Sequence, residues 1–244
     1  MARRKKRRKL KGGAAKFLTA LIILCILSIT ALFLPLFNIT NITVEGNKVL
    51  KSEEIIKVSQ TGRGYNLFRT STSKAKKNLL KMPYIKGVKI KKILPTTLKI
   101  IVTEEDAAAY VVNGKNFVAI NKEGRVLEVA KKMRDGIMKM PGLKVSESTP
   151  GEIIKYKSNV TKEIQDLCME KLSENELIKK VAVLDISNAS SVKIEFNNGL
   201  LAQIGNTDEI DYKIKMLDTV LNQGYGSGIF NIENTAQPTY RKNE

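Results

Sequence analysis

Histidine and tryptophan are absent from this 244-residue chain, and cysteine occurs only twice. Without histidine, the commonest general base and the commonest metal ligand are missing. Ser–His–Asp and Cys–His nucleophilic systems are excluded, and zinc sites of the usual kind lack ligands. Without tryptophan there is no Trp-lined platform on which a sugar could stack. Cys25 lies in an apolar run, and Cys168 falls on the apolar face of an expected helix. No internal disulfide can staple the part after that run, and Cys168 is expected to be a buried, inert thiol. Acid is also missing from the start of the chain, where no Asp or Glu precedes Glu45.

What is present begins with a step in charge. Residues 1–16, MARRKKRRKLKGGAAK, carry nine Lys or Arg, and Phe17–Phe37, FLTALIILCILSITALFLPLF, carry no charge. A helix over that second stretch rises roughly 31 Å, close to the thickness of a bilayer's hydrocarbon layer. It is longer than a cleaved signal's apolar region and has no small-x-small cleavage site after it. A core helix is rarely apolar all round. The expectation is one uncleaved membrane span. The basic tail should stay in the cytoplasm and the remaining 207 residues should face outward. Those residues keep 33 basic and 24 acidic side chains. A solvated basic surface, anionic lipid or cell-wall polymer accounts for that excess on the outer side, and nucleic acid is not expected as a partner.

After the span, Ile42 and Val44 alternate with Thr43 and Glu45 as a strand that ends at Gly46-Asn47. Ser52 reads as the cap of a helix with Glu53 and Glu54 in its first turn. A second helix, from about Thr72 to Lys81, sets Ala75, Leu79 and Met82 on one face and stops at Pro83. Val88 and Ile90, then Leu98, Ile100 and Val102, alternate on either side of Leu94-Pro95-Thr96-Thr97 as a hairpin. The order is β-α-α-β-β, with two helices expected on one face of a three-stranded sheet.

These pieces carry a resemblance. Ile42–Asn47, Tyr65-Asn66-Leu67-Phe68, Met82-Pro83-Tyr84-Ile85 and above all Leu94–Glu104 resemble the POTRA domain of the FtsQ/DivIB family of bacterial cell-division proteins. That family usually continues with an acid, then proline and alanine; here Glu105-Asp106-Ala107-Ala108-Ala109 has no proline. The rest reads as a strand-rich α+β domain. Asn113-Gly114 joins Tyr110–Val112 to Asn116–Ile120 as a hairpin, and Glu123-Gly124 turns into Val126-Leu127. Met140-Pro141-Gly142-Leu143 is similar to the family's Leu-Pro link. Val160, Ile164, Leu167, Cys168 and Leu172 form a helical stripe. Strands follow near 181–187 and 192–196, and Asn198-Gly199 turns into a strand that runs to Gly205. A helix holds Ile210, Ile214, Leu217 and Leu221 on one side, and Lys213 within it matches a family lysine. Ile229–Ile232 resembles the family's final core strand, with asparagine at position 231 where aspartate is usual, as at Asn121.

The chemistry on offer has plain alternatives. Gly62-Arg63-Gly64 is not a full phosphate-binding G-x-G-x-x-G and lies between helices. Glu104-Glu105-Asp106 reads as a solvated strand end. Ser71 and Lys74 open an amphipathic helix, where capping explains the hydroxyl. Recognition remains. A small sheet offers edges, and an open edge accepts a partner's strand through backbone hydrogen bonds. Ile232, Glu233, Asn234, Ala236, Thr239 and Tyr240 are the expected partner-binding residues, because Pro238 suits an edge strand and not a sheet centre. The backbone N–H of Ala236 is expected to serve that pairing.

The expected class is α+β: a basic cytoplasmic tail over 1–16, a transmembrane helix over 17–37, a POTRA domain over 38–106, an FtsQ/DivIB-type β domain over 107–232, and an edge strand or tail over 233–244. The resemblance implies a non-enzymatic scaffold in the plasma membrane at the division septum, without cofactor or metal. It implies partners of the small bitopic coiled-coil FtsL and FtsB/DivIC types, the septal peptidoglycan synthase complex as a further partner, and regulation of septal peptidoglycan synthesis. A POTRA-bearing transport or assembly component and a membrane-anchored wall enzyme are the alternatives.

Overall fold

The computed structural model describes residues 12–31 and 34–242. The basic tail through residue 11, residues 32 and 33 of the expected span, and residues 243 and 244 lie outside them. The described chain divides into two compact units. One holds residues through Leu80 together with Ile85–Glu104, and the other holds Lys81–Tyr84 and the residues from Glu105 onward.

The first unit opens with helix α1 (Gly12–Ala31). Its large apolar side chains are exposed at every described turn, among them Phe17, Leu21, Leu24 and Leu27. Pro35–Phe37 form a separate 3-10 turn. Among the described residues no helix is long and apolar enough to cross a membrane. The uncharged part of α1, residues 17–31, rises about 22 Å against a hydrocarbon layer of roughly 30 Å. The expected span is therefore described as helix over only part of its length.

Beyond it come β1 (Asn41–Glu45), α2 (Ser52–Ser59), α3 (Thr72–Leu79), β2 (Ile85–Ile93) and β3 (Thr97–Glu104). The sheet order is β1-β3-β2, with β1 parallel and β2 antiparallel to β3. This is the expected POTRA order. Ile55, Ala75 and Leu79 of the helices and Val88, Leu98, Ile100 and Val102 of the strands are buried. Gly46 ends β1 with φ +85°, and a Cβ there would lie 2.1 Å from the carbonyl oxygen of Val102. Only glycine allows the chain to turn so close to β3. One local expectation shifts. Ser52 is the first residue of α2 rather than its cap, and Lys51 holds the cap position without a side-chain bond. The Ser52 hydroxyl accepts from the Asn47 amide instead. Ser71 does cap α3, accepting from the Lys74 N–H at 3.3 Å.

The second unit contains β4 (Ala109–Asn113), β5 (Asn116–Ile120), β6 (Val126–Ala130), β7 (Met138–Met140), β8 (Val145–Glu147), β9 (Lys155–Tyr156), α4 (Asn159–Glu174), β10 (Val181–Asp185), β11 (Val192–Phe196), β12 (Leu200–Gly205), α5 (Ile210–Asn222), β13 (Gly228–Asn231) and β14 (Thr239–Lys242). Nine strands form one sheet in the order β14-β13-β12-β11-β10-β7-β4-β5-β6, and β8 pairs with β9 apart from it. Most neighbours are antiparallel; β4–β7, β7–β10 and β12–β13 are parallel. The core joins Val111, Val118, Ile120, Ile194 and Ala202 of the sheet to Ile164, Cys168 and Leu172 of α4 and Ile214 and Leu217 of α5. Val160 departs from the expected stripe. It is half exposed and lines a surface cleft beside Lys144 and Lys157.

Candidate functional site

Among the described residues, β14 is an end strand of the nine-stranded sheet and pairs on one side only, with β13. The register sets Thr239 opposite Asn231, Tyr240 opposite Phe230, Arg241 opposite Ile229 and Lys242 opposite Gly228. Gly228 makes this approach possible. A Cβ there would meet the Arg241 carbonyl oxygen at 2.7 Å and the Tyr240 ring at 2.7 Å. The Tyr240 ring also meets Tyr225 edge to face, with centroids 4.8 Å apart. Its hydroxyl donates to the Ser227 carbonyl at 3.2 Å. Tyr240 thus pins the edge strand to the sheet while Thr239, Arg241 and Lys242 stay exposed.

The segment leading to β14 is a turn, not a strand. Asn231 Oδ1 accepts the Glu233 N–H and Asn234 Oδ1 accepts the Ala236 N–H, both at 3.0 Å. Side-chain acceptors of this kind hold the backbone out of the extended form. The Ala236 N–H therefore serves an internal turn and not an open edge. Ile232 is fully buried, and its N–H donates to the Gln203 carbonyl at 2.9 Å. It belongs to the core beneath the edge. Glu233, Asn234 and Ala236 are exposed on the turn. The edge expected over Ile232–Tyr240 accordingly narrows to Thr239–Lys242. Asn231 also donates through Nδ2 to Gln203 Oε1 at 3.1 Å, a bond that aspartate at this position could not make.

A second layer supports the turn. Thr235 Oγ1 donates to Glu209 Oε2 at 2.7 Å, tying the turn to the start of α5. Just inside, Lys213 is 2% exposed, and its Nζ donates to the carbonyls of Ile204 and Asn206 at 3.0 Å and to Asn206 Oδ1 at 3.3 Å. Three oxygens satisfy the three donors of a buried ammonium. The sequence carried a signal for this: Lys213 sits between Ile210 and Leu217 on the apolar face of its helix.

The groups weighed for catalysis have structural work. Ser71 caps α3. The Glu104 carboxylate accepts three backbone N–H groups, from Lys48 at 2.9 Å, Val49 at 2.8 Å and Leu50 at 3.0 Å. It is an anchor for the β1–α2 loop rather than the solvated strand end expected. Glu105 accepts from Asn121 Nδ2 at 3.3 Å. In the second unit Arg134 bonds to Tyr110, Glu128 and Tyr84 together. Burial, and after it the Glu128 charge, raises the Tyr84 hydroxyl above its ordinary range. This cluster fastens the segment Lys81–Tyr84 to β4 and β6.

Comparison with known proteins gives a consistent result. Residues 37–105 match the family model of the FtsQ-type POTRA domain, and residues 109–234 match that of the FtsQ/DivIB C-terminal region. The chain is 35% identical to cell division protein DivIB of Clostridium acetobutylicum over 82% of its own length and 80% of that protein's. It is 33% identical to the Clostridium botulinum (strain Hall) DivIB over 90% and 83% of the two chains. It is 22% identical to cell division protein FtsQ of Corynebacterium glutamicum over 83% and 86%.

Proposed function

This chain belongs to the FtsQ/DivIB family of cell-division proteins, and from that premise we propose that it is a non-enzymatic, membrane-anchored scaffold of the division machinery. Its work is recognition outside the membrane. The observation that carries this reading is the edge strand β14, paired on one side and exposed at Thr239, Arg241 and Lys242. An extended segment of a partner adds to that edge. Backbone bonds give the grip, while Thr239, Tyr240 and the neighbouring turn residues Glu233, Asn234 and Ala236 give selectivity. Ile232 supports the edge from the core.

The partners are small bitopic coiled-coil proteins of the FtsL and FtsB/DivIC types, and through them the scaffold regulates septal peptidoglycan synthesis at the division septum. α1 holds the protein in the plasma membrane with its basic tail in the cytoplasm. The uncharged stretch to Phe37 and the apolar side chains exposed all round α1 support that anchoring. An anchor confines scaffold and partners to one surface and raises their effective concentration for each other.

Adjacent residues of an antiparallel strand point their backbone groups to opposite sides. Of Arg241→Pro and Lys242→Pro, one therefore removes a bond to β13 and the other a donor of the open edge. The variant that keeps the thermal unfolding midpoint should lose at least tenfold in affinity for the co-purified coiled-coil partners. Wild-type affinity in a variant that keeps its midpoint would sink the edge reading.

A further inference from the structure

The end of the first unit where the chain leaves α1 gathers features that the division role does not use. Phe37 packs edge to face on Phe68 at 5.1 Å, and the Phe37 carbonyl accepts the Leu67 N–H at 2.8 Å. The Phe68 carbonyl accepts Lys92 Nζ at 3.2 Å. The Thr96 carbonyl accepts the Thr40 N–H at 3.0 Å. These bonds bring the segment after α1, the loop 64–69 and the tip of the β2–β3 hairpin to one end of the sheet. That end is apolar on its outside: Leu36 is 65% exposed, Tyr65 59% and Leu94 61%, with Ile93 beside it at 45%. It also carries a cleft of about 530 Å³, lined by Arg69 and Lys74 with Asn66 and Ser71, and by no acidic residue.

We infer that this end of the first unit is a seat for a bilayer surface rich in anionic headgroups. The occupant follows from position and chemistry. Pro35, which lines the cleft, is four residues beyond Ala31, so the cleft lies within about 14 Å of the end of α1. A membrane-anchored α1 would hold it at headgroup depth. Exposed aliphatic and aromatic groups insert at that depth, and flanking Lys and Arg attract acidic lipid. Leu36, Ile93 and Leu94 form the inserting rim; Arg69, Lys74 and Lys92 supply the charge. The inference rests on the anchoring proposed above.

The test uses the full chain in nanodiscs of neutral lipid or of lipid with about 30% phosphatidylglycerol, a content that supplies the negative surface required. A nitroxide is placed at Leu94→Cys in a Cys25→Ser background. A control label is placed at Val49→Cys, an exposed site beside Glu104 at the other end of β3. Accessibility of the label at position 94 to an aqueous nickel chelate should fall at least threefold in the acidic nanodiscs, and position 49 should not change. R69Q/K74Q/K92Q should abolish at least half of that fall. Equal behaviour of the two positions in both lipids would overturn the inference. So would an equal fall produced in neutral nanodiscs by inorganic phosphate alone, which would assign the surface to free anions. Alkaline extraction of the same chain from vesicles reports the anchoring separately: a chain that extracts defeats the anchor, whereas a retained chain with positions 94 and 49 alike defeats only the seat.

Discussion

Cys168 lies in α4 with none of its surface exposed, and burial pushes its thiol from an ordinary 9.0 up to about 12. The folded chain holds this proton more tightly than the unfolded chain does. The contribution to stability is complete below about pH 9 and is lost as pH rises towards 12. Tyr156 acts in the same direction at still higher pH, raised by burial and then by the Asp166 charge. The urea midpoint should therefore fall between about pH 8.5 and pH 10.5. Cys168→Ala should flatten part of that fall, and an identical slope in the variant would place the pH dependence elsewhere. The burial of this cysteine was legible in the sequence from its place on a helical stripe. The coordination of Lys213 was only half legible: its position on an apolar face shows in the sequence, but its three oxygen partners come from β12 and the loop after it.

Among the elements, the β1–α2 connection shows what a single carboxylate can hold. Glu104 gathers three N–H groups of that loop, and charge-assisted bonds of this kind are worth more than neutral ones. Glu104→Ala should lower stability by about 2–3 kcal/mol, with Glu104→Gln losing roughly half as much because one acceptor remains. Chemical unfolding of the full chain in neutral micelles checks this, and equal midpoints for all three proteins would remove the anchor role. The hairpins β4–β5 and β11–β12 were readable because Asn113-Gly114 and Asn198-Gly199 mark the turns between strand-like apolar segments. β7, β8 and β9 were not, since two or three residues are too few to display a period. The edge strand was placed too early for a related reason. Pro238 lies just before the end strand, and whether the residues preceding it form strand or turn is decided by the side chains of Asn231 and Asn234, which compete for the backbone.

At the scale of the molecule, the nine-stranded sheet of the second unit is two blocks joined through β7. On one side lie β4, β5 and β6, and on the other β10 to β14. Both contacts of β7 are parallel, and its pairing with β10 rests on one register pair, Val183 with Lys139. No local pattern announces such an arrangement, because its partners are far apart in sequence and parallel strands need long crossovers. The same arrangement orders events in time. Hairpins close early, since their loops are short, and contacts between distant segments close late. Native-state hydrogen exchange should find the amides of β7 opening before those of β11 and β12, and uniform protection across the sheet would contradict this. A sheet joined at so narrow a waist has a weakest point fixed in advance. If tension is applied between the two blocks, they should part at β7 while the hairpins within each block stay closed.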